Sequence, residues 1–282
     1  MRAWLSVLAA GRISIAAGRS LRSSMKIGLY SITYRGVWYR GGPVDVFSLV
    51  RLAKEQGWEG LELDAERPHA APMDLSADDR KRLRDLAAEL DLPLCAISPN
   101  CDLSSPVPVQ REAMICYTRE CIKLARDLGT PICKIFAAWR GITLYDGLAT
   151  YDDTYGYNQY GYWKGERRQF VVEALRELAN VAEDHGVILA MQNHGPDIVN
   201  RYEDVLSLIE EAGSSVLKAC STACGSMSKA LASSSTVAGR SAANSRLSNS
   251  ATRPARSRVV VSGSCSVARI APPCYSHCRM SL

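Results

Sequence analysis

From Met25 to about Ala219, short apolar runs alternate with segments whose apolar residues recur every three or four positions. The first run, Met25-Lys-Ile-Gly-Leu-Tyr-Ser31, is followed by Val46, Leu49, Val50 and Ala53 at i, i+3, i+4 and i+7, set between Pro43 and Gly57. That spacing predicts a strand and then a helix with one inward face. Gly60-Leu-Glu-Leu-Asp64 predicts a second strand, and Ser76-Ala-Asp-Asp79 a capping-box start for a helix running to Leu90. A third unit pairs a strand over Leu94 to Ser98 with a helix over about Val109 to Leu128. A fourth pairs Ile132 to Ala137 with a helix after Arg168, whose inward face is Val171, Ala174, Leu175, Leu178 and Ala182. Val187 to Gln192 is the fifth strand, Tyr202 to Ala212 its helix, and Ser215 to Ala219 a sixth strand.

Strands that alternate with helices at this spacing pair in parallel, and five consecutive units favour a (β/α)8 barrel of the α/β class over an open sheet. The barrel is incomplete as read, reaching only about its sixth strand. No Gly-x-Gly-x-x-Gly follows the first strand, which argues against a dinucleotide site. After residue 219 the pattern stops: residues 220–282 hold 16 Ser, seven Arg and no Asp or Glu. The expected organisation is a leader or spurious upstream extension over 1–24, a partial barrel over 25–219, and an irregular, basic, low-complexity C-terminal tail over 220–282. A coding-frame error near Cys220 is the expected origin of that tail, with a genuine low-complexity segment as the alternative.

Charge sharpens this division. All 29 acidic residues lie between Asp45 and Glu211, so the part that reads as folded is acidic although the formal net charge of the chain is +5. A specific nucleic-acid partner wants a clustered basic face on the folded part, and the pattern shows none. No apolar run is long enough to span a bilayer. Cys95, Cys101, Cys116, Cys121 and Cys133 have no C-x-x-C spacing and read as reduced thiols of a cytoplasmic protein. Cys265, Cys274, His277 and Cys278 have zinc-ligand residue types without a supporting second pair.

Barrel chemistry sits at the C-terminal ends of the strands. That rule selects Tyr30, Glu62 with Asp64, Pro99 with Asn100, Trp139, and Gln192 to His194. The stretch from Arg140 to Glu166 is long for a strand-to-helix connection and carries six of the twelve tyrosines. Long ordered loops are usually functional, and tyrosine suits both sugar stacking and subunit contact, so a lid and a homo-oligomer surface are both open, beside a plain surface excursion.

Met25-Lys-Ile-Gly-Leu-Tyr30, Gly60-Leu-Glu-Leu-Asp64, Glu66-Arg-Pro-His69 and Leu189-Ala-Met-Gln-Asn-His-Gly195 together resemble the sugar phosphate isomerase/epimerase branch of the xylose isomerase-like TIM-barrel superfamily. The resemblance covers about Met25 to Cys220. It implies a small sugar or sugar-phosphate substrate and a divalent metal (Mn, Mg or Co) held at the ends of the fifth to eighth strands. It also implies that Tyr30, Glu62, Arg67 and His69 face the substrate and that Gln192 stands where much of the superfamily has a ligating Glu; Asn100 and Trp139 join the substrate set by their strand-end positions, and for His194 a contact to substrate or metal and a plain hydrogen-bonded loop histidine are both open. No catalytic residue is assigned. Since residues 212–282 contain no carboxylate side chain, the metal set is expected to be incomplete and activity impaired. Two rival readings are an endonuclease IV-like abasic-site nuclease and a non-catalytic barrel fragment that binds a sugar or a partner.

Overall fold

The computed structural model describes residues 26–38, 41–151, 154, 164–195 and 197–220. The expected extension over 1–24 lies outside them, as does all of the expected tail beyond Cys220. Six parallel strands form one sheet: β1 (Leu29–Tyr30), β2 (Leu61–Asp64), β3 (Leu94–Ser98), β4 (Ile132–Phe136), β7 (Ile188–Gln192) and β8 (Leu217–Cys220), in that spatial order. Between them run α1 (Val46–Glu55), α2 (Ala77–Glu89), α3 (Pro108–Leu128), α4 (Lys164–Asp184) and α5 (Tyr202–Ala212). Each parallel pair needs a crossover, and the helices supply it. The result is the six-strand arc of an incomplete (β/α)8 barrel.

Helix faces follow the apolar spacing. Leu49, Val50 and Ala53 of α1 are buried, as are Val171, Ala174, Leu175, Leu178 and Ala182 of α4. These join Leu61, Leu63, Ile97, Ile135 and Leu189 from the strands in one core cluster. Helix α2 begins as expected: Ser76 Oγ accepts the Asp79 N–H at 3.1 Å, and Asp79 Oδ2 accepts the Ser76 N–H at 3.3 Å. Ser76→Ala therefore costs about 1 kcal/mol, a value typical of a lost N-cap. Urea denaturation measures it, and an unchanged midpoint contradicts the role of the cap.

Three local expectations are corrected. The first strand ends at Tyr30, and Ser31–Tyr34 turn into a 3-10 helix. The reason is a side-chain substitution: Ser31 Oγ, at 2.7 Å, takes the Asp64 N–H that a continuing strand would compete for. Helix α4 starts at Lys164, ahead of the expected start after Arg168, so Arg167 and Arg168 lie in its first turns. Within the long connection after β4, Thr143–Tyr145 (β5) and Leu148–Thr150 (β6) make an antiparallel hairpin. Its turn residues Asp146 and Gly147 sit at φ 50° and 75°, the left-handed pair that a two-residue hairpin turn needs. Four tyrosines of the same connection (155, 157, 160 and 162) lie outside the described residues.

Candidate active site at the strand ends

The inward positions of neighbouring strands are fixed by register. Tyr30 lies beside Glu62, Glu62 beside Ala96, Asp64 beside Ser98, Lys134 beside Ala190, and Phe136 beside Gln192. Barrel interiors are usually filled with branched aliphatic side chains. Here they hold charge.

Asp64 is fully buried. Its Oδ1 accepts Asn100 Nδ2–H at 2.8 Å and the Tyr30 hydroxyl at 3.3 Å, while Arg35 Nε faces Oδ2 at 3.2 Å without hydrogen-bond alignment. Arg35 also pairs with Glu66 at 2.6 Å, and Asn100 donates to Glu66 at 2.8 Å. Burial, with the Glu66 charge second, raises the Asp64 pKa to about 7 against the opposing pull of Arg35, Asn100 and Tyr30. Burial and the surrounding carboxylates also push the Tyr30 phenol well above its ordinary value.

Below this group, Glu62 (3% exposed) and Lys134 (2%) form an ion pair inside the barrel. Ser98 Oγ donates to Glu62 Oε1 at 2.7 Å, and Glu62 Oε2 has no hydrogen-bond partner. The Lys134 ammonium lies 4.3 Å from the Tyr30 ring centroid and 5.5 Å from that of Phe136, a cation-π arrangement. On the other wall, the His194 ring stands edge-on to Phe136 at 5.3 Å and lies 6.4 Å from Trp139. Tyr151 covers it at 5.9 Å and meets Trp38 at 5.6 Å. The Ala149 N–H bonds to the Val37 carbonyl, so the hairpin is tied to the loop after β1 above this aromatic wall. Burial, helped by the Lys134 charge, lowers the His194 pKa.

The structure thus gathers Tyr30, Glu62 and Asn100 around Asp64 and Lys134, and Trp139 with His194 on the facing wall. Gln192 ends β7, buried beside Phe136. Arg67 turns elsewhere: its side chain is 78% exposed and grips Asp74 through two bonds of 2.5 and 2.6 Å. It borders a cavity of about 340 Å³ that Arg35, Glu66 and Tyr117 also line, beside the strand ends. His69 is buried behind the mouth, with Nδ1 3.1 Å from Ser31 Oγ and Nε2 without a hydrogen bond. Burial first, then the Arg35 charge, lowers its pKa to about 4. Lys134 and Arg35 were not singled out by sequence. Lys134 had a signal, as the one charge in the run Ile132-Cys-Lys-Ile-Phe136; Arg35 had none.

A divalent metal tests poorly against these residues. Of the four strand ends that would hold it, β7 offers the neutral Gln192 amide and β8 the Cys220 thiol. Among the described residues no group of three or more His, Cys, Asp or Glu is placed to hold a metal ion. Mg and Mn favour oxygen ligands, largely carboxylates, and these two described strand ends offer no carboxylate. The described cysteines are free, and burial pushes the Cys95 and Cys101 thiols up to about 12. No helix among the described residues is long and apolar enough to cross a membrane.

Solved structures share this architecture. D-psicose 3-epimerase of Clostridium cellulolyticum H10, with D-tagatose, is 19% identical over 69% of this chain and 62% of its own, at a TM-score of 0.54. The 3-keto-D-glucoside 4-epimerase YcjR of E. coli is 16% identical over 69% of this chain and 67% of its own, at 0.52. A xylose isomerase-like TIM barrel protein of Mycobacterium smegmatis, in complex with magnesium, is 16% identical over 70% and 64%, at 0.50. This chain therefore spans about 62% of the length of the first of these structures. No curated protein matches the sequence. The family model for the xylose isomerase-like TIM barrel matches residues 50–228, more than half of the chain, and with the six-strand arc it places this chain in that family.

Proposed function

We propose that the strand-end site binds a keto sugar, as in a sugar isomerase or epimerase, and that metal-dependent turnover by this chain is impaired. The observation that carries the first part is a buried polar floor facing an aromatic wall: Glu62, Asp64, Ser98 and Asn100 against Tyr30, Phe136, Trp139 and His194. A sugar presents hydroxyl donors along its edge and an apolar C–H face, and Glu62 Oε2 and Asp64 Oδ2 are acceptors still without hydrogen-bond donors. Epimerases of psicose and of a 3-keto-glucoside share the fold, which supports the substrate class.

A neutral sugar fits better than a sugar phosphate. Among the described residues at the strand ends, Arg35, Lys134, Arg140 and Arg167 are each already paired with a carboxylate, which favours a neutral ligand over a phosphate. Impairment follows from the donor set. Gln192 is neutral, and the sequence after Glu211 contains no Asp or Glu to complete a metal site or serve as a second proton acceptor. A frame error near Cys220 accounts for that composition. Cytoplasmic location belongs to the same reading. So does a subunit contact through the hairpin, where Leu144 and Tyr145 are exposed.

Saturation-transfer NMR tests the substrate. D-fructose and D-tagatose are expected to bind, fructose 6-phosphate no better, and Trp139→Ala is expected to weaken ketose binding by up to about tenfold, the worth of one aromatic contact. No ketose binding overturns the substrate reading. Rapid epimerisation on adding Mn, lost on chelation, overturns the impairment.

A further inference from the structure

We propose that the cavity of about 340 Å³ beside the strand ends is a glycosyl subsite, so that the ligand this protein takes is a glycosylated ketose, such as a keto-disaccharide, rather than a free monosaccharide. The proposal rests on the keto-sugar reading of the strand-end site and adds a second ring to it.

The cavity and the polar floor share one wall. Arg35 faces Asp64 on one side and pairs with Glu66 on the other, and Asn100 donates to both carboxylates at 2.8 Å. Asp64 is sealed in the floor. Glu66 and Arg35 still reach solvent, at 28% and 12% exposure, and both line the cavity. One layer of side chains therefore lies between a ring seated in the cavity and the floor of the ketose site. The volume is near the lower end for small-molecule sites, which suits a single ring.

The lining selects a neutral polyol. Its two guanidinium groups each already hold a carboxylate, Arg35 with Glu66 and Arg67 with Asp74, so the charges cancel within the wall. A charged ligand has to break one of these pairs. A hydroxyl can join one, accepting from the guanidinium and donating to the carboxylate. The pairs leave capacity for that: Arg67 gives Asp74 one Nε–H and one Nη2–H bond, and each oxygen of Glu66 and Asp74 takes one of these donors, fewer than a carboxylate can accept. Neighbouring hydroxyls on a pyranose repeat the same donor and acceptor pattern along the ring edge. The C–H face of the ring needs an apolar surface, and Tyr117 supplies it. Its hydroxyl is held by the Ala65 carbonyl, which fixes the aromatic ring beside the cavity, and Met73 adds an exposed apolar rim. Arg67, turned away from the strand ends, becomes a residue for the second ring.

Saturation-transfer NMR and titration calorimetry on the full chain test the subsite with D-fructose, lactulose and isomaltulose. The last two carry a pyranose on different oxygens of fructose. At least one of them is expected to bind at least about tenfold tighter than D-fructose, the worth of one hydrogen bond to a charged group, with saturation reaching the protons of its pyranose. The double variant R67A/D74A removes both members of an exposed pair, so no charge is left without its partner, and a urea midpoint checks that it is folded. It is expected to abolish the gain of the disaccharide over D-fructose. No gain in the parent, saturation confined to the fructose unit, or a gain that survives in the folded variant overturns the subsite and leaves the ketose reading standing. Inorganic phosphate that displaces the disaccharide from the parent overturns it too, because the cavity is then an anion site. Binding of neither D-fructose nor a disaccharide overturns both readings.

Discussion

Asp197→Ala is expected to remove about 3–5 kcal/mol of stability, the cost of taking one partner from a buried ion pair. Asp197 is the hub of a network that joins three strand-end loops. Arg167, 2% exposed at the start of α4, donates to its Oδ1 at 2.7 Å and its Oδ2 at 2.8 Å. Arg140, from the connection after β4, donates to Oδ2 at 2.6 Å, and the Ile198 N–H to Oδ1 at 2.7 Å. Arg167 also reaches back to the loop after β3, donating to Ser104 Oγ at 2.5 Å and Ser104 O at 3.3 Å. Burial alone acts to raise the Asp197 pKa, but the bonds from Arg167 and Arg140 win and hold it below the ordinary carboxylate value. Removing the carboxylate takes from the sealed Arg167 guanidinium the charge that balances it. Against a typical stability of about 5–15 kcal/mol, such a loss is large. Urea denaturation should show a lower midpoint at unchanged slope, with Asp74→Ala, at the exposed Arg67 pair, as the control that leaves the midpoint in place. A fall of under about 1 kcal/mol for Asp197→Ala would show that the network is not a clasp.

The network also shows where the sequence was legible. Helices α1, α3 and α5 and strands β2, β3, β4 and β7 were written in apolar spacing, because each buries a continuous face or run. Strand ends in turn selected Tyr30, Glu62, Asn100 and His194, since a barrel points those positions to one mouth whatever the family. Buried charge leaves no such record. Arg167 and Asp197 are 30 positions apart, Arg167 and Ser104 are 63 apart, and nothing local marks an arginine that will lose its water. Arg167 therefore lay outside the helix expected after Arg168. The hairpin was missed for a different reason. Its signal, Tyr145-Asp146-Gly147-Leu148, is a turn dipeptide between apolar residues, but the flanking strands are only three residues each, too short for a period of two to stand out.

His69 and Asp64 together set the pH response of the fold, and their effects oppose one another. Asp64 titrates at about 7 when folded, against 3.8 for an ordinary Asp. The folded state holds the proton more tightly, so this group's stabilisation is complete below about pH 3.8 and is lost as pH rises through about 7, on the order of 4 kcal/mol in all. His69 titrates at about 4 when folded, against 6.5 ordinarily. Its stabilisation is complete above about pH 6.5 and is lost as pH falls towards about 4, on the order of 3 kcal/mol. Asp102, whose pKa burial raises, sides with Asp64, and His194, whose pKa burial lowers, sides with His69. Between about pH 4 and 6.5 the slopes nearly cancel, so urea midpoints of the parent are expected to be almost flat there. Asp64→Asn removes one arm, and its midpoint should rise with pH across that window. His69→Gln removes the other, and its midpoint should fall from about pH 4 to about pH 7. Arg35 is the second-largest influence on His69 but Asp64 is not among the influences on it, so the two variants report separate arms. Profiles of both variants that overlay the parent would mean that neither group is buried in the state assigned to it. A slope in only one of them would place the error on the other residue.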